Sequence, residues 1–394
     1  MGNSIYHSTI IYKRLLQLGI CKIFTNIYVS HIMSVLLSVF AVGYRGKTVN
    51  FEEHSPCHRT TVAHFLNSGK WDDKKFEDLL KKAVIDIIYA ESKRTGKPVY
   101  CIIDDTIASK TKPSSQARHP IEDAYFHQSH LKKRQDYGHQ AVGVMLSCNG
   151  ICLNYAIIMY NKTRSKIQIV QEIAEELPTA PVPSYLLCDS WYTTGKVMDA
   201  FIKKAFYTIG ALKTNRVIYP TGIHQKISEF ARFIQKDSKA VRLVTVGKRQ
   251  YYVYRYEGSL NGIDDAVVII SFPKNAFGEP KALRAFICTN TDLTTQEILD
   301  SYVERWPIEL FFRQSKGILA LDKYQIRCSK GIQRYWLLMS LVHFLCCTDF
   351  RCGCCSFESG YRHIQTEIQH EQVSWIYHCG QCGISLDSIM SMVA

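Results

Sequence analysis

Tyr302, Arg305, Glu309 and Lys316 follow one another at spacings of three, four and seven residues. At about 100° of turn per residue, a continuous helix gathers all four within an arc of roughly 60°. One carboxylate then shares a face with a phenol, a guanidinium and an ammonium. Such a face suits an acid that holds a metal beside nucleic-acid phosphates. The same spacing also describes a solvated face laced with ion pairs. Ile308, Leu310, Phe311 and Phe312 make the segment apolar, which predicts burial on one side. Pro307 removes a backbone donor and can restart the helix, turning the stripe into two aligned pairs.

Two further acids end apolar runs. Residues 98–106 are rich in β-branched and aromatic side chains and close on Asp104, Asp105 and Thr106. Residues 182–192 have the same form and carry Asp189. Each reads as a buried strand with its acid at the rim, where charge can meet solvent or a metal. The carboxyl ends of strands are also the usual ligand site of open α/β sheets. Taken singly, each aspartate is equally explained as a turn residue or a cap for the next helix.

The order and wording of these segments resemble the DDE transposases. Asp105 in "IIDDT", Asp189 in "LLCDSWYTT" and Glu309 in "YVERWPIELFFRQSK" look like that family's three acids. The Tyr302–Arg305–Glu309–Lys316 spacing is similar to the signature of the bacterial insertion-sequence-four-like subgroup. The resemblance runs from about Lys47 to about Leu345, and "DSWYTT" departs from the better-known members. It implies a ribonuclease-H-like fold. It also implies Mg2+ held by Asp105, Asp189 and Glu309, as two ions with Mn2+ able to substitute. Asp104 is the rival for the first position, and Asp105 is preferred because the motif sets the acid directly before Thr106. Tyr302, Arg305 and Lys316 would hold phosphates near the cut. The partners implied are double-stranded transposon ends and target DNA, handled by a homodimer in a bacterial, cytoplasmic, nucleoid-associated setting.

Composition is compatible with this. There are 48 Lys and Arg against 35 acids in 394 residues, a net charge of +13, and 46% of residues are hydrophobic. The charge points to a polyanionic partner, nucleic acid first, and the length suits two or three domains. Met1–Tyr6 lacks the Ser or Thr of a myristoylation motif, and residues 32–42 are too short to span a bilayer. The 15 cysteines are scattered, several of them in apolar strands, which favours reduced thiols.

These residues must be positioned by an α/β chain. Residues 1–95 read as a helical, DNA-binding domain. Within it, Ser55 and Pro56 start a helix that Asn67–Gly69 ends, and Arg59 is placed to meet a phosphate or base if the helix belongs to a helix-turn-helix. A ribonuclease-H-like core is expected over 96–215 and 294–350. It comprises the Asp105 strand, a basic loop over 110–140, strands 139–148 and 151–160 joined at Asn149–Gly150, helix 165–177, the Asp189 strand, helix 195–206 and strand 207–213. Residues 216–293 carry four strand signals and read as a β-rich insertion. Thr294 and Glu297 form a capping box for the helix leading to Glu309. Residues 351–394 are a Cys-rich helical tail in which Cys352, Cys354, Cys355, His378, Cys379 and Cys382 are possible zinc ligands or incidental thiols. Three other functions stay open: a ribonuclease-H-like nuclease without strand transfer, a non-catalytic transposase-derived DNA-binding protein, and a zinc-stapled regulatory protein.

Overall fold

The structure, a computed structural model, describes residues 9–42, 58–118, 120–129, 132–260, 262–348 and 356–393. Ser55, Pro56, the 43–47 loop and Cys352, Cys354 and Cys355 lie outside them. The chain opens with helices α1 (Thr9–Gln17), α2 (Ile20–Ile23), α3 (Asn26–Val42), α4 (Arg59–Asn67) and α5 (Asp73–Thr95). Strands β1 (Tyr100–Ser109), β2 (Tyr125–Ser129), β3 (Arg134–Cys148) and β4 (Ile151–Tyr160) follow. Next come α6 (Lys166–Glu176), β5 (Ser184–Cys188), α7 (Gly195–Ile202) and β6 (Phe206–Leu212). Short β7 (Val217–Ile218), β8 (Gln225–Lys226) and α8 (Ile227–Phe230) lead to β9 (Val241–Val246), β10 (Arg249–Leu260), β11 (Ile263–Pro273) and β12 (Arg284–Cys288). The last helices are α9 (Thr295–Val303), α10 (Trp306–Gly317), α11 (Ser329–Cys347), α12 (Phe357–Gln381) and α13 (Leu386–Val393).

Local chemistry explains most boundaries. Asn149 and Gly150 both take positive φ, 50° and 83°, the mirror-image turn that matches strand twist in a two-residue hairpin. Ser165 with Gln168, and Thr294 with Glu297, form the reciprocal capping boxes that start α6 and α9. Gly96, at φ 68°, closes α5. Other boundaries differ from expectation. Helix α7 stops at Ile202 because Ala205 turns left-handed at φ 62°, and Phe206 already belongs to β6. The expected basic loop is shorter, since residues 125–129 pair with β3. Helix α4 begins at Arg59, with the His58 ring accepting from the Thr60 N–H.

All strands form one mixed sheet in the order β2-β3-β1-β5-β6-β12-β11-β10-β7-β8, with β4 paired to β3 and β9 to β10. Pairs β1–β5 and β5–β6 are parallel, and the others are antiparallel. Strand β12 adds directly to β6, so the strands of residues 216–293 continue the sheet. The two faces bury different layers. Cys101 and Ile103 join a large apolar core with α5, α6 and α11, whereas Ile102 joins a smaller core with Ile298, Ile308, Phe311 and Phe312 of α9 and α10. In β11, Val267 and Ile269 face that smaller core while Val268 and Ile270 face a third one. This explains why the run is apolar without alternation.

One buried charge ties the N-terminal helices to α11. Arg334 is 1% exposed and donates to the carbonyls of Phe65, Leu66, Gly69 and Trp71, and to Asp73 at 3.2 Å. Its guanidinium lies 4.4 Å from the Trp71 ring centroid. Arg334→Leu should lower stability by about 3 kcal/mol or more, because several buried carbonyls lose their donor at once. Asp73→Asn should cost about 1 kcal/mol. Urea denaturation checks both, and an unchanged midpoint for Arg334→Leu would show that this latch is not what holds the helical layer.

Candidate active site

Strand β1 is longer than its sequence suggests, because β3 pairs with it as far as Ser109 opposite Gly138. Asp104 and Asp105 therefore sit inside the strand. They are at a rim all the same, since the neighbouring β5 ends at Cys188, opposite Ile103. Asp189 follows directly. The three aspartates thus meet where the parallel pair stops.

Successive residues of a strand point to opposite faces. Asp104 pairs across the sheet with Gly143, and the Phe312 ring of α10 packs onto Gly143 so closely that a Cβ there would lie 2.7 Å from it. The Asp104 face is therefore the α10 face. Arg305 Nη1 donates to Asp104 Oδ2 at 2.6 Å, and its Nη2 donates to Glu309 Oε1 at 2.6 Å. The Lys316 ammonium donates to Thr106 Oγ1 at 2.6 Å and to the Ile107 carbonyl at 3.0 Å, which pins α10 along β1. Burial pushes the Lys316 pKa down, only partly offset by Asp322.

Asp105 faces the other layer and is fully engaged there. Its Oδ1 accepts from Gln140 Nε2 at 2.8 Å, and its Oδ2 accepts from Lys166 Nζ at 2.6 Å and the Tyr192 hydroxyl at 3.1 Å. Tyr192 is fully buried. Asp189 Oδ1 accepts the Trp191 N–H at 2.9 Å. Burial raises the Asp189 pKa, opposed by that N–H and reinforced by the charge of Asp105. Burial also pushes Asp104 up to about 6, with Arg305 pulling it down and Asp189 pushing it further up.

The predicted stripe is broken. Helix α9 ends at Val303, and α10 restarts at Trp306 with Pro307 in its first turn, so Tyr302 and Glu309 lie on different helices. Tyr302 packs on Phe286 with ring centroids 4.8 Å apart, and Arg305 lies 5.9 Å from the Tyr302 ring centroid. Arg305, Glu309 and Asp104 are thus brought together beside Asp189. Asp105 and Lys316 are neighbours of that group but hold other partners. Arg59 is exposed at the start of α4, a helix that packs on α11 and α3. The sequence reading passed over Lys166, Gln140 and Tyr192. The two-residue period of β1 separates Asp104 from Asp105, but only the packing of Phe312 tells which face α10 covers.

The donor set is chemically suited to a hard divalent cation: carboxylates alone, two of them paying for burial with raised pKa values. Among the described residues, no group of three or more His, Cys, Asp or Glu is arranged to hold a metal, and here a guanidinium bridges two of the acids. For the tail, His378 Nε2 lies 3.7 Å from Cys382 Sγ, and Cys379 is buried. Among the described residues, no helix is long and apolar enough to cross a membrane.

The acids of this mixed sheet thus lie where the parallel pair β1–β5 stops. A family model described as Transposase DDE domain matches residues 95–345, and the chain belongs to this family. It is a DDE transposase by family, a class of DNA-cleaving phosphoryl-transfer enzymes that generally depend on a divalent metal. No curated protein matches the chain. Among solved structures it is similar to the piggyBac transposase synaptic complex with hairpin DNA, studied by cryo-EM. The identity is 11% and the TM-score 0.41, over 88% of this chain and 69% of that one.

The raised Asp104 pKa gives a stability test. A carboxyl that binds its proton more tightly when folded stabilises the fold fully at low pH, and that contribution is lost as pH rises through about 6. In metal-free protein, Asp104→Asn should therefore raise the melting temperature at about pH 7.5, by the equivalent of about 1–3 kcal/mol, and the gap should close by about pH 4. A variant less stable than the parent at about pH 7.5 would mean that the Arg305 pair outweighs the burial penalty.

Proposed function

We propose that this chain is the transposase of a bacterial insertion sequence of the insertion-sequence-four-like subgroup. In this reading it cleaves transposon ends and joins them to target DNA. Residues 96–215 and 294–350 form a ribonuclease-H-like core, 216–293 its β-rich insertion, 1–95 the DNA-binding helices and 351–394 the tail. What supports the core assignment is the strand order β4-β3-β1-β5-β6, antiparallel through the first three strands and parallel through the last three.

The observation that carries the mechanism is the Asp104–Arg305–Glu309 bridge beside Asp189. It favours Asp104, Asp189 and Glu309 as the metal-holding acids, with Asp105 as a positioning residue for Lys166 and Tyr192. Bound Mg2+, or Mn2+ in its place, supplies charge for activating the attacking oxygen and stabilising the leaving one. The protein side of the work is to fix the acids and the DNA. Lys316 holds α10, and therefore Glu309, against β1. Arg305 is suited to bidentate phosphate contact once it leaves its two acids. Tyr302 supports Arg305 from α9. Arg59 would meet DNA from α4, and the net charge of +13 favours binding to transposon ends and target alike. A synaptic homodimer and a cytoplasmic, nucleoid-associated setting belong to the same reading.

Cleavage and strand transfer on duplexes carrying the DNA that flanks the coding region would test it. Asp104→Asn, Asp189→Asn and Glu309→Gln should each lower cleavage by about a hundredfold or more while end binding persists. Asp105→Asn should slow the reaction less and leave its Mg2+ requirement unchanged. Normal cleavage by Asp104→Asn, with loss in Asp105→Asn, would return the first metal position to Asp105. Cleavage without joining of pre-cut ends would favour the nuclease reading.

A further inference from the structure

A cavity of about 370 Å³ lies where α5, α6 and α11 meet over β4. That volume is in the range of small-ligand pockets. The cavity belongs to the layer that Asp105 faces, and none of the site's acids lines it. Its walls carry charge in balanced pairs. Lys81 is 6% exposed and stands 2.8 Å from Glu77 and 2.7 Å from Glu176, with its ammonium 5.4 Å from the Tyr155 ring centroid. Arg164 pairs with Glu172 where the wall is more exposed. Leu80, Ile173 and Leu337 supply an apolar lining.

One group in the lining is left over. Ser340 is 5% exposed, and its hydroxyl has no hydrogen-bond partner among the described residues. A helical serine can return its hydroxyl to the carbonyl four residues earlier, as Ser34 and Ser38 do at 2.9 and 2.8 Å. Ser340 does not, and it lines the cavity. Lys81 keeps a spare donor as well, since an ammonium carries three protons and two carboxylates engage it. A buried hydroxyl without a partner costs free energy that an acceptor on a ligand would recover. The lining also limits the ligand's chemistry. A bare anion would meet Glu77, Glu172 and Glu176, and a bare cation would meet Lys81 and Arg164. An uncharged apolar molecule would leave the spare donors unanswered. A molecule with both charges and an apolar body answers each part. We infer that this cavity binds a free α-amino acid with an apolar side chain. Its carboxylate meets Ser340 and Lys81, its ammonium meets the carboxylates of the wall, and its side chain lies against Leu80 and Leu337. Bound there, it touches α5, α6 and α11 at once, and so ties the N-terminal helices to the helix that begins at Lys166. The site goes beyond the transposase reading and needs no DNA.

The test is calorimetric titration of the full, DNA-free chain with L-leucine, L-methionine and L-phenylalanine, alongside thermal melting. At least one should bind saturably and raise Tm by about 3 °C at about 100 times its Kd. Capping the ammonium of that ligand as its N-acetyl form, or its carboxylate as the amide, should each weaken binding about tenfold or more. Ser340→Ala should weaken it about tenfold. Leu337→Phe narrows the cavity from a half-buried position and should abolish binding while the chain still melts cooperatively. Absence of saturable binding by all three amino acids up to about 10 mM overturns the site. So does an amide or N-acetyl form that binds as tightly as the free amino acid, or an unchanged affinity in Ser340→Ala. If Leu337→Phe does not fold, Ser340→Ala and the capped ligands decide.

Discussion

The Arg305 guanidinium between Asp104 and Glu309 is the interaction on which the site's arrangement depends. A half-buried carboxylate on a strand can stay beside an exposed one on a helix when a cation between them answers both charges. Arg305 answers both at 2.6 Å, from the residue just before α10 begins. That location follows from Pro307. Because the helix restarts there, Arg305 stands at a helix start, with its side chain reaching to β1 on one side and forward to Glu309 on the other. An uninterrupted helix would have aligned the charged stripe and lost the reach.

The sheet supplies the rest of the constraint. Strand β5 stops one residue short of Asp189, so β1 runs on without its parallel neighbour just where Asp104 and Asp105 occur. Period-two geometry then sends these adjacent acids to opposite layers. One meets the helix that bears Glu309, and the other meets Lys166, Gln140 and Tyr192. Gly143 is needed on β3 because the Phe312 ring occupies the space a Cβ would take, and that close approach sets how near α10 lies to β1. Phe312 and Lys316, one helical turn apart, fasten the same helix by packing and by hydrogen bonds.

Much of this was legible in the sequence. The Asn149–Gly150 hairpin, the Thr294–Glu297 capping box and the strand at Val241–Val246 follow from local chemistry, which tertiary context did not override. The acids were legible as a set because each ends or interrupts an apolar run. Their facing was not. Asp104 and Asp105 are the same residue type at consecutive positions, and periodicity says only that they diverge, never which layer holds α10. The ends of β1 were also hidden, because strand length is set by the partner, here the 15-residue β3. The partners of Lys316 escaped for a similar reason: a lysine spaced for a helix face reads as solvated until a neighbouring strand offers it a carbonyl.

The two faces also divide the electrostatic work. On the Asp105 side both carboxylate oxygens are met by donors from the protein, which describes a structural network. On the Asp104 side the balance is incomplete. Burial still holds Asp104 near 6 despite Arg305, and Asp189 remains raised beside it. Adding a divalent cation there would relieve both acids at once, whereas adding one beside Asp105 would have to displace a lysine, a glutamine and a tyrosine. On the proposed reading, the metal and the DNA are linked through Arg305. If a cation were held by these acids, the Arg305 guanidinium would be free for another anion, and a phosphate is the anion its geometry suits. The residue that answers Asp104 and Glu309 in this structure would then be the one that receives the phosphate.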